Sequence, residues 1–148
     1  MNTLANRINP PIHSAIAPSV ADAAALVGRI LLAFLFLKSG WGKIGGFEQT
    51  AAMMASKGIP MAQAALVITI LVELGAGLLL VVGYKARWAA LAIAAWLVPV
   101  TIMFHAFWAV PADQVMNQQN NFFKNVAIFG GMLMVFAFGP GGYSVDKR

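Results

Sequence analysis

Six ionisable side chains stand within, or at the ends of, stretches too apolar for water: Arg29, Lys38, Lys43, Glu73, His105 and Lys124. A charge at the centre of a bilayer costs about 3 kcal/mol on insertion scales, so each needs a partner or a purpose. A carboxylate and a guanidinium at matching depth can pair, or a protonated carboxyl can donate a hydrogen bond and relay a proton. An imidazole among ammonium groups can meet the oxygens of an amphiphile's headgroup and exchange a proton near neutral pH.

The elements that must carry these residues follow from composition. The 148 residues are 60% apolar and 10% charged, whereas a soluble domain is usually about 25% charged. The apolar residues form long runs at about 23–43, 62–82, 88–110 and 122–139. Each run approaches the ~20 residues needed to cross a ~30 Å hydrocarbon layer as a helix. The expected fold is all-α, an integral membrane bundle of four transmembrane helices in one domain, residues 22–148. Residues 1–21 form a tail with Pro10, Pro11 and Pro18. The tail lacks the apolar core of a signal peptide, so the first span should act as an uncleaved insertion signal.

Between the first two spans, GGFEQTAAMMASKGIP suggests a short interfacial helix between glycine breaks. The short 83–87 loop makes the second and third spans antiparallel neighbours. PADQVMNQQN reads as a polar connection to the fourth span, and GPGGYSVDKR as a closing tail. The N-terminal tail, the 83–87 loop and the C-terminal tail share one side and carry Arg7, Lys85, Arg87, Lys147 and Arg148, against Lys57 opposite. That asymmetry places both termini in the cytoplasm.

Depth and phase then sort the charges. At 1.5 Å per residue, Arg29 lies about 10 Å and Glu73 about 14 Å inside the cytoplasmic edges of their spans, so the two are expected to pair or form a proton relay. The competing reading is a buried clasp that only sets helix register. Phe36, Gly40 and Lys43 fall within about 40° of Arg29 on the first helix. Lys38 falls on the opposite side and should snorkel to headgroups of the far leaflet. On that far side Lys43, His105, Lys124, Asn125 and Trp41 are candidates to bind a quinone-like headgroup, against an interfacial belt that simply meets water. His105 belongs one helical turn beyond Thr101, and Pro99 frees the carbonyl of Ala95 beneath it. Gly40, Gly75, Gly77, Gly130 and Gly131 are expected to let helices approach closely.

Several chemistries are excluded or weakened. The chain has no cysteine, which removes disulfides, thiolate metal sites and Fe–S ligation within it. Its two histidines are His13 in the tail and His105, so a bis-histidine haem is excluded and no metal site is expected. A His/Met haem site with Met103 or Met116 has little support, and the methionines fit packing better than ligation. The scattered Lys and Arg residues form no basic stripe with interleaved aromatics, so nucleic acid is not a partner.

The stretches GRILLAFLFLKSGWGKIGGFE, LVELGAGLLLVVGYKARWAALAIAAWLVPVTIMFHAFW and NNFFKNVAIFGGMLMVFAFGPGGYSVDKR resemble the DoxX family of bacterial four-helix membrane proteins, over residues 26–148. The resemblance implies importance for Arg29, for Gly40 and Lys43, for Glu73 and Arg87, for Phe104 and His105, for Lys124 and Asn125, and for the closing segment from Gly139 to Asp146. Lys38 departs from that pattern, where a small or apolar residue is usual. Related DoxD-type proteins are subunits of a thiosulfate:quinone oxidoreductase, and some DoxX relatives are membrane partners in redox-stress complexes. The resemblance therefore implies a quinone-linked subunit, with the lipid bilayer, a non-covalent quinone and other membrane or redox subunits as partners. Two alternatives are a non-enzymatic scaffold or anchor, and a small transporter or lipid-binding module.

Overall fold

The computed structural model describes residues 17–147. Helix α1 spans Pro18–Gly45, α2 Phe47–Ser56, α3 Ala62–Val82, α4 Ala86–Phe104 and α5 Ala112–Phe138. A 3-10 turn, Phe107–Ala109, lies between α4 and α5. Four of these segments are long and apolar enough to cross a membrane: α1, α3, α4 with its following turn, and α5. The shorter α2 does not cross; it packs Ala51 and Met54 against Leu66 of α3, which is the short interfacial helix expected between the first two spans.

Most of the expected tail at 1–21 lies outside the described residues, but its last part is already helical. Pro18 occupies the first turn of α1, where a missing N–H removes no intrahelical bond. The start of α1 and the C-terminal tail meet at one end of the bundle, where the Gly142 N–H donates to Asp22 Oδ1 at 2.6 Å. We call this the tail end, and the opposite end, which carries α2 and the α4–α5 connection, the far end.

α3 stops in a Schellman arrangement. Gly83 has φ of 68°, a left-handed conformation open to glycine, and the Gly83 and Tyr84 N–H groups return to Leu80 O and Leu79 O at 3.2 and 3.1 Å. Within α3 the five residues Val72–Ala76 widen into a π-helical turn. α4 continues through Pro99 to Phe104.

The core is built largely from small residues. Ala33, Ala76, Ala86, Ala89, Ala90 and Ala94 are buried together with Phe36, Leu80, Ile93, Leu97 and Met132. In lipid, apolar burial between helices gives no net drive, so close van der Waals approach through small residues must hold them together. Gly40, Gly77 and Gly131 do this: a methyl on each would stand 2.8 Å from Leu74, 2.9 Å from Leu37 and 3.2 Å from Leu32. Gly75 and Gly130 do not, contrary to expectation. Both are exposed, and a methyl there would meet nothing within 4 Å. They sit one residue before the buried Ala76 and the partly buried Gly131, about 100° around the helix and on its outer side.

The largest departure from expectation is at the start of the fourth span. The supposed connection PADQVMNQQN is mostly the first turns of α5, which begins at Ala112. Polar composition marks where lipid ends, and a helix with Pro111 at its N-cap and Asp113 in its first turn continues past that point into water. His105 shifts in the opposite sense. It is the C-cap of α4, with φ −125° and ψ 31°, so the helix has ended where a continuous span had been expected.

Candidate functional site

The register of α1 against α3 is fixed by two close approaches. Gly40 lies against Leu74 and Glu73, and Gly77 lies against Leu37 and the Ala33 carbonyl. The helices are antiparallel, so this places Glu73 level with Ser39 and Gly40. Arg29 is then about ten residues, or roughly 15 Å, closer to the tail end.

The expected Arg29–Glu73 pair is therefore replaced by a Lys43–Glu73 pair. Lys43 Nζ donates to Glu73 Oε1 and Oε2 at 2.9 Å each and also to Ser39 Oγ. Ser39 Oγ in turn donates to Glu73 Oε1 at 3.3 Å. The side chains of Lys43 and Glu73 are 24% and 10% exposed, which makes the pair part of the bundle interior rather than of its surface. The π turn carries Glu73, and Gly40 gives it room to approach α1. Ser39 had not been singled out from the sequence. Its position four residues before Lys43, on the same helix face, is the signal that identifies it.

The two helices do not share the common edge that equal depths would require. α1 overhangs the end of α3, and Arg29, 1% exposed, comes level with the last turn of α3. Its Nη1 donates to Leu80 O at 2.6 Å and Val81 O at 3.2 Å, and its Nη2 to Tyr143 O at 2.7 Å. Val145 and Asp146 supply their N–H groups to Val82 O and Gly83 O at 3.1 and 3.0 Å. With the Schellman bonds, every carbonyl from Leu79 to Gly83 has a donor. A helix C-terminus leaves its last carbonyls unpaired and carries a partial negative charge, and both suit a buried guanidinium. Arg87 repeats the device at the end of α5, donating to Phe136 O and Ala137 O at 2.6 Å each.

The far-end candidates do not gather into one site. Nδ1 of His105 lies 2.9 Å from Gln118 Oε1 on the first turns of α5. Lys124 is exposed and donates to Asn121 at 2.8 Å, while Lys43 is held by Glu73. Trp41 is 75% exposed and faces outward. Asn125 is set between α4 and α5, where its Nδ2 donates to Thr101 Oγ1 at 3.1 Å and Thr101 donates to Leu97 O at 2.6 Å. Beside this polar pair a groove of about 200 Å³ opens between α4 and α5, walled by Leu97, Val98, Ile102, Phe122, Val126 and Phe129. Beyond it, Phe107, Trp108, Phe122 and Phe123 cluster, with ring centres 5.0–5.7 Å apart in the edge-to-face pairs and 6.2 Å in the tilted pair Phe107–Phe123. Among the described residues, no three His, Asp or Glu side chains come together as a metal would require.

This arrangement of Arg29, Gly40, Lys43 and Glu73 lies inside the segment that a family comparison recognises: the DoxX model matches residues 24–106. The chain belongs to the DoxX family. Its relatives include the Escherichia coli inner membrane protein YqjF, 38% identical over 85% of this chain and 92% of that one. A second is the Escherichia coli inner membrane protein YphA, 34% identical over 83% of this chain and 88% of its own length. The Surfeit locus protein 4 homolog of Drosophila melanogaster is 30% identical over 83% of this chain, which spans only 40% of that longer protein. No solved structure matches. This DoxX protein is thus a multi-pass membrane protein in which Arg29, Lys43 and Glu73 are engaged by its own backbone and side chains.

Proposed function

We propose that this DoxX protein is a non-enzymatic scaffold of a bacterial inner membrane, holding a partner protein within the bilayer. The observation that carries the reading is the Lys43–Glu73 pair. Both charges are satisfied within the bundle by each other and by Ser39, which leaves neither free to meet a substrate. Arg29 is likewise engaged by three carbonyls. The relatives' names as inner membrane proteins support the location. The basic tail end, with Lys85, Arg87 and Lys147, supports termini in the cytoplasm. The chain has no native cysteine, so single cysteines at positions 57 and 85 can be labelled without background. Labelling of Lys57→Cys from the cytoplasmic side would reverse the orientation.

A second reading, binding of a quinone or similar amphiphile as part of a redox complex, is favoured by the groove between α4 and α5. In that reading the apolar walls take the tail, and Asn125 and His105 meet the headgroup, while Trp41, Lys43 and Lys124 lie too dispersed to complete one pocket. Titration of the purified protein with decylubiquinone, followed by tryptophan fluorescence, separates the two. The scaffold reading expects no saturable change. Saturation that is lost in both Asn125→Ala and His105→Ala, with melting temperature unchanged, establishes the quinone reading in its place.

A further inference from the structure

Lys38 is the intramembrane charge that the bundle does not use. It is exposed on α1, and among the described residues no acceptor or carboxylate lies within bonding distance of it. The α1–α3 register puts it level with Leu74, near the middle of the Ala62–Val82 span. The nearer end of α1, at Gly45, is about 10 Å away. Side chains on a helix lean toward its N-terminus, which for Lys38 means away from Gly45, and on that side the end of α3 at Val82 is eight residues, about 12 Å, beyond Leu74. Headgroups thus stand about 10 Å or more away on either side.

The surface around Lys38 has a regular pattern. Val27, Leu31, Phe34, Lys38, Trp41 and Gly45 follow one another at alternating intervals of four and three residues, and all are exposed. That is the spacing of a heptad seam, in which one polar residue at an a-type position fixes register and partner choice. We propose that this face of α1 docks a transmembrane helix of another protein that carries an Asp or Glu at the depth of Lys38. A second copy of this chain does not fit. The seam against itself would oppose Lys38 with Lys38. Glu73 is already paired, and the remaining described carboxylates, Asp22, Glu48, Asp113 and Asp146, lie at helix ends or in connections. The inference rests on the scaffold reading and supplies the chemistry of the partner.

The test uses the full-length protein in phosphatidylcholine vesicles with a labelled leucine-heptad peptide bearing one central Glu, and its Gln counterpart. Resonance energy transfer is expected to report association of the Glu peptide, about tenfold weaker for the Gln peptide and for Lys38→Leu protein, from the usual strength of a polar contact between membrane helices. Lys38→Leu changes an exposed residue, and an unchanged melt establishes that it folds. Equal association with both proteins, or none with either, overturns the proposal. So does loss of retained phosphatidylglycerol in Lys38→Leu by native mass spectrometry without any peptide effect, which would assign the ammonium to a lipid phosphate. Saturable decylubiquinone binding would remove the scaffold reading while leaving the peptide result standing, so the two failures are distinguishable.

Discussion

Replacing either member of the Lys43–Glu73 pair alone is expected to destabilise the protein strongly, while replacing both with apolar residues restores most of the loss. Glu73→Leu leaves an ammonium in the bundle with only Ser39 as partner, and Lys43→Met leaves a carboxylate at membrane depth with only Ser39 as donor. Breaking a buried pair costs about 3–5 kcal/mol, because an uncompensated charge remains. Lys43, 24% exposed, should fall toward the lower end, since it can rotate outward. The double variant Lys43→Met/Glu73→Leu removes both charges together, and well-packed apolar replacements of buried pairs are often neutral or stabilising. Unfolding in mixed micelles of increasing dodecyl sulfate, read by tryptophan fluorescence, gives the three differences. A double variant as unstable as the sum of the two singles would show that the charges do not act as a unit. A double variant that folds like the parent but no longer holds its partner would move the pair from architecture to function.

What was legible in the sequence was mainly what lipid dictates. The number of spans, the antiparallel turn at Gly83, the inward set of Arg29, Phe36, Gly40 and Lys43, and the outward Lys38 all follow from the cost of exposing polar groups to hydrocarbon and from 3.6-residue periodicity. What was not legible was longitudinal register. Periodicity gives the angle of a residue about its own helix but nothing of how far one helix slides along its neighbour. Arg29 and Glu73 were matched by assuming a common edge, and the packing of Gly40 on Leu74 and Gly77 on Leu37 offsets the helices enough to exchange the partners. The π turn at Val72–Ala76 was equally hidden, because no local residue pattern announces it. Helix ends were misjudged at Ala112 and His105 for one reason: hydropathy reports the solvent around a segment, and backbone bonding decides where the helix begins and stops.

The arginines show how the fold manages its tail end. Arg29 of α1 closes the carbonyl end of α3, and Arg87 of α4 closes that of α5. Each helix ending here is thus capped by a side chain from an antiparallel neighbour. Both arginines are identified by membrane cost or by family resemblance. Their acceptors are not, since backbone carbonyls carry no sequence signature.

Arg29→Met should therefore unfasten the tail end rather than the centre of the bundle. The substitution removes three charge-assisted bonds to Leu80, Val81 and Tyr143 and leaves Val81 O without its donor in a part-buried site. Hydrogen bonds to charged groups contribute about 1.5–3 kcal/mol each but do not add fully, so a loss on the order of 3–5 kcal/mol is expected. Arg29→Lys should recover little, because one ammonium cannot reproduce the planar fork that spans α3 and the tail. Gly83→Ala should act in the same place: its φ of 68° disfavours alanine, and the added methyl would meet Ser144 and the Arg29 guanidinium. Arg87→Met, by contrast, alters an exposed cap and should cost about 1 kcal/mol or less, since water can satisfy the freed carbonyls. Amide exchange locates the effect. The Val145 and Asp146 N–H groups, which donate to Val82 and Gly83, should lose protection in Arg29→Met and Gly83→Ala while amides in the middle of α4 keep theirs. If Arg29→Lys retained full protection at Val145 and Asp146, a positive charge alone would be sufficient, and the geometric role assigned to the guanidinium would fall.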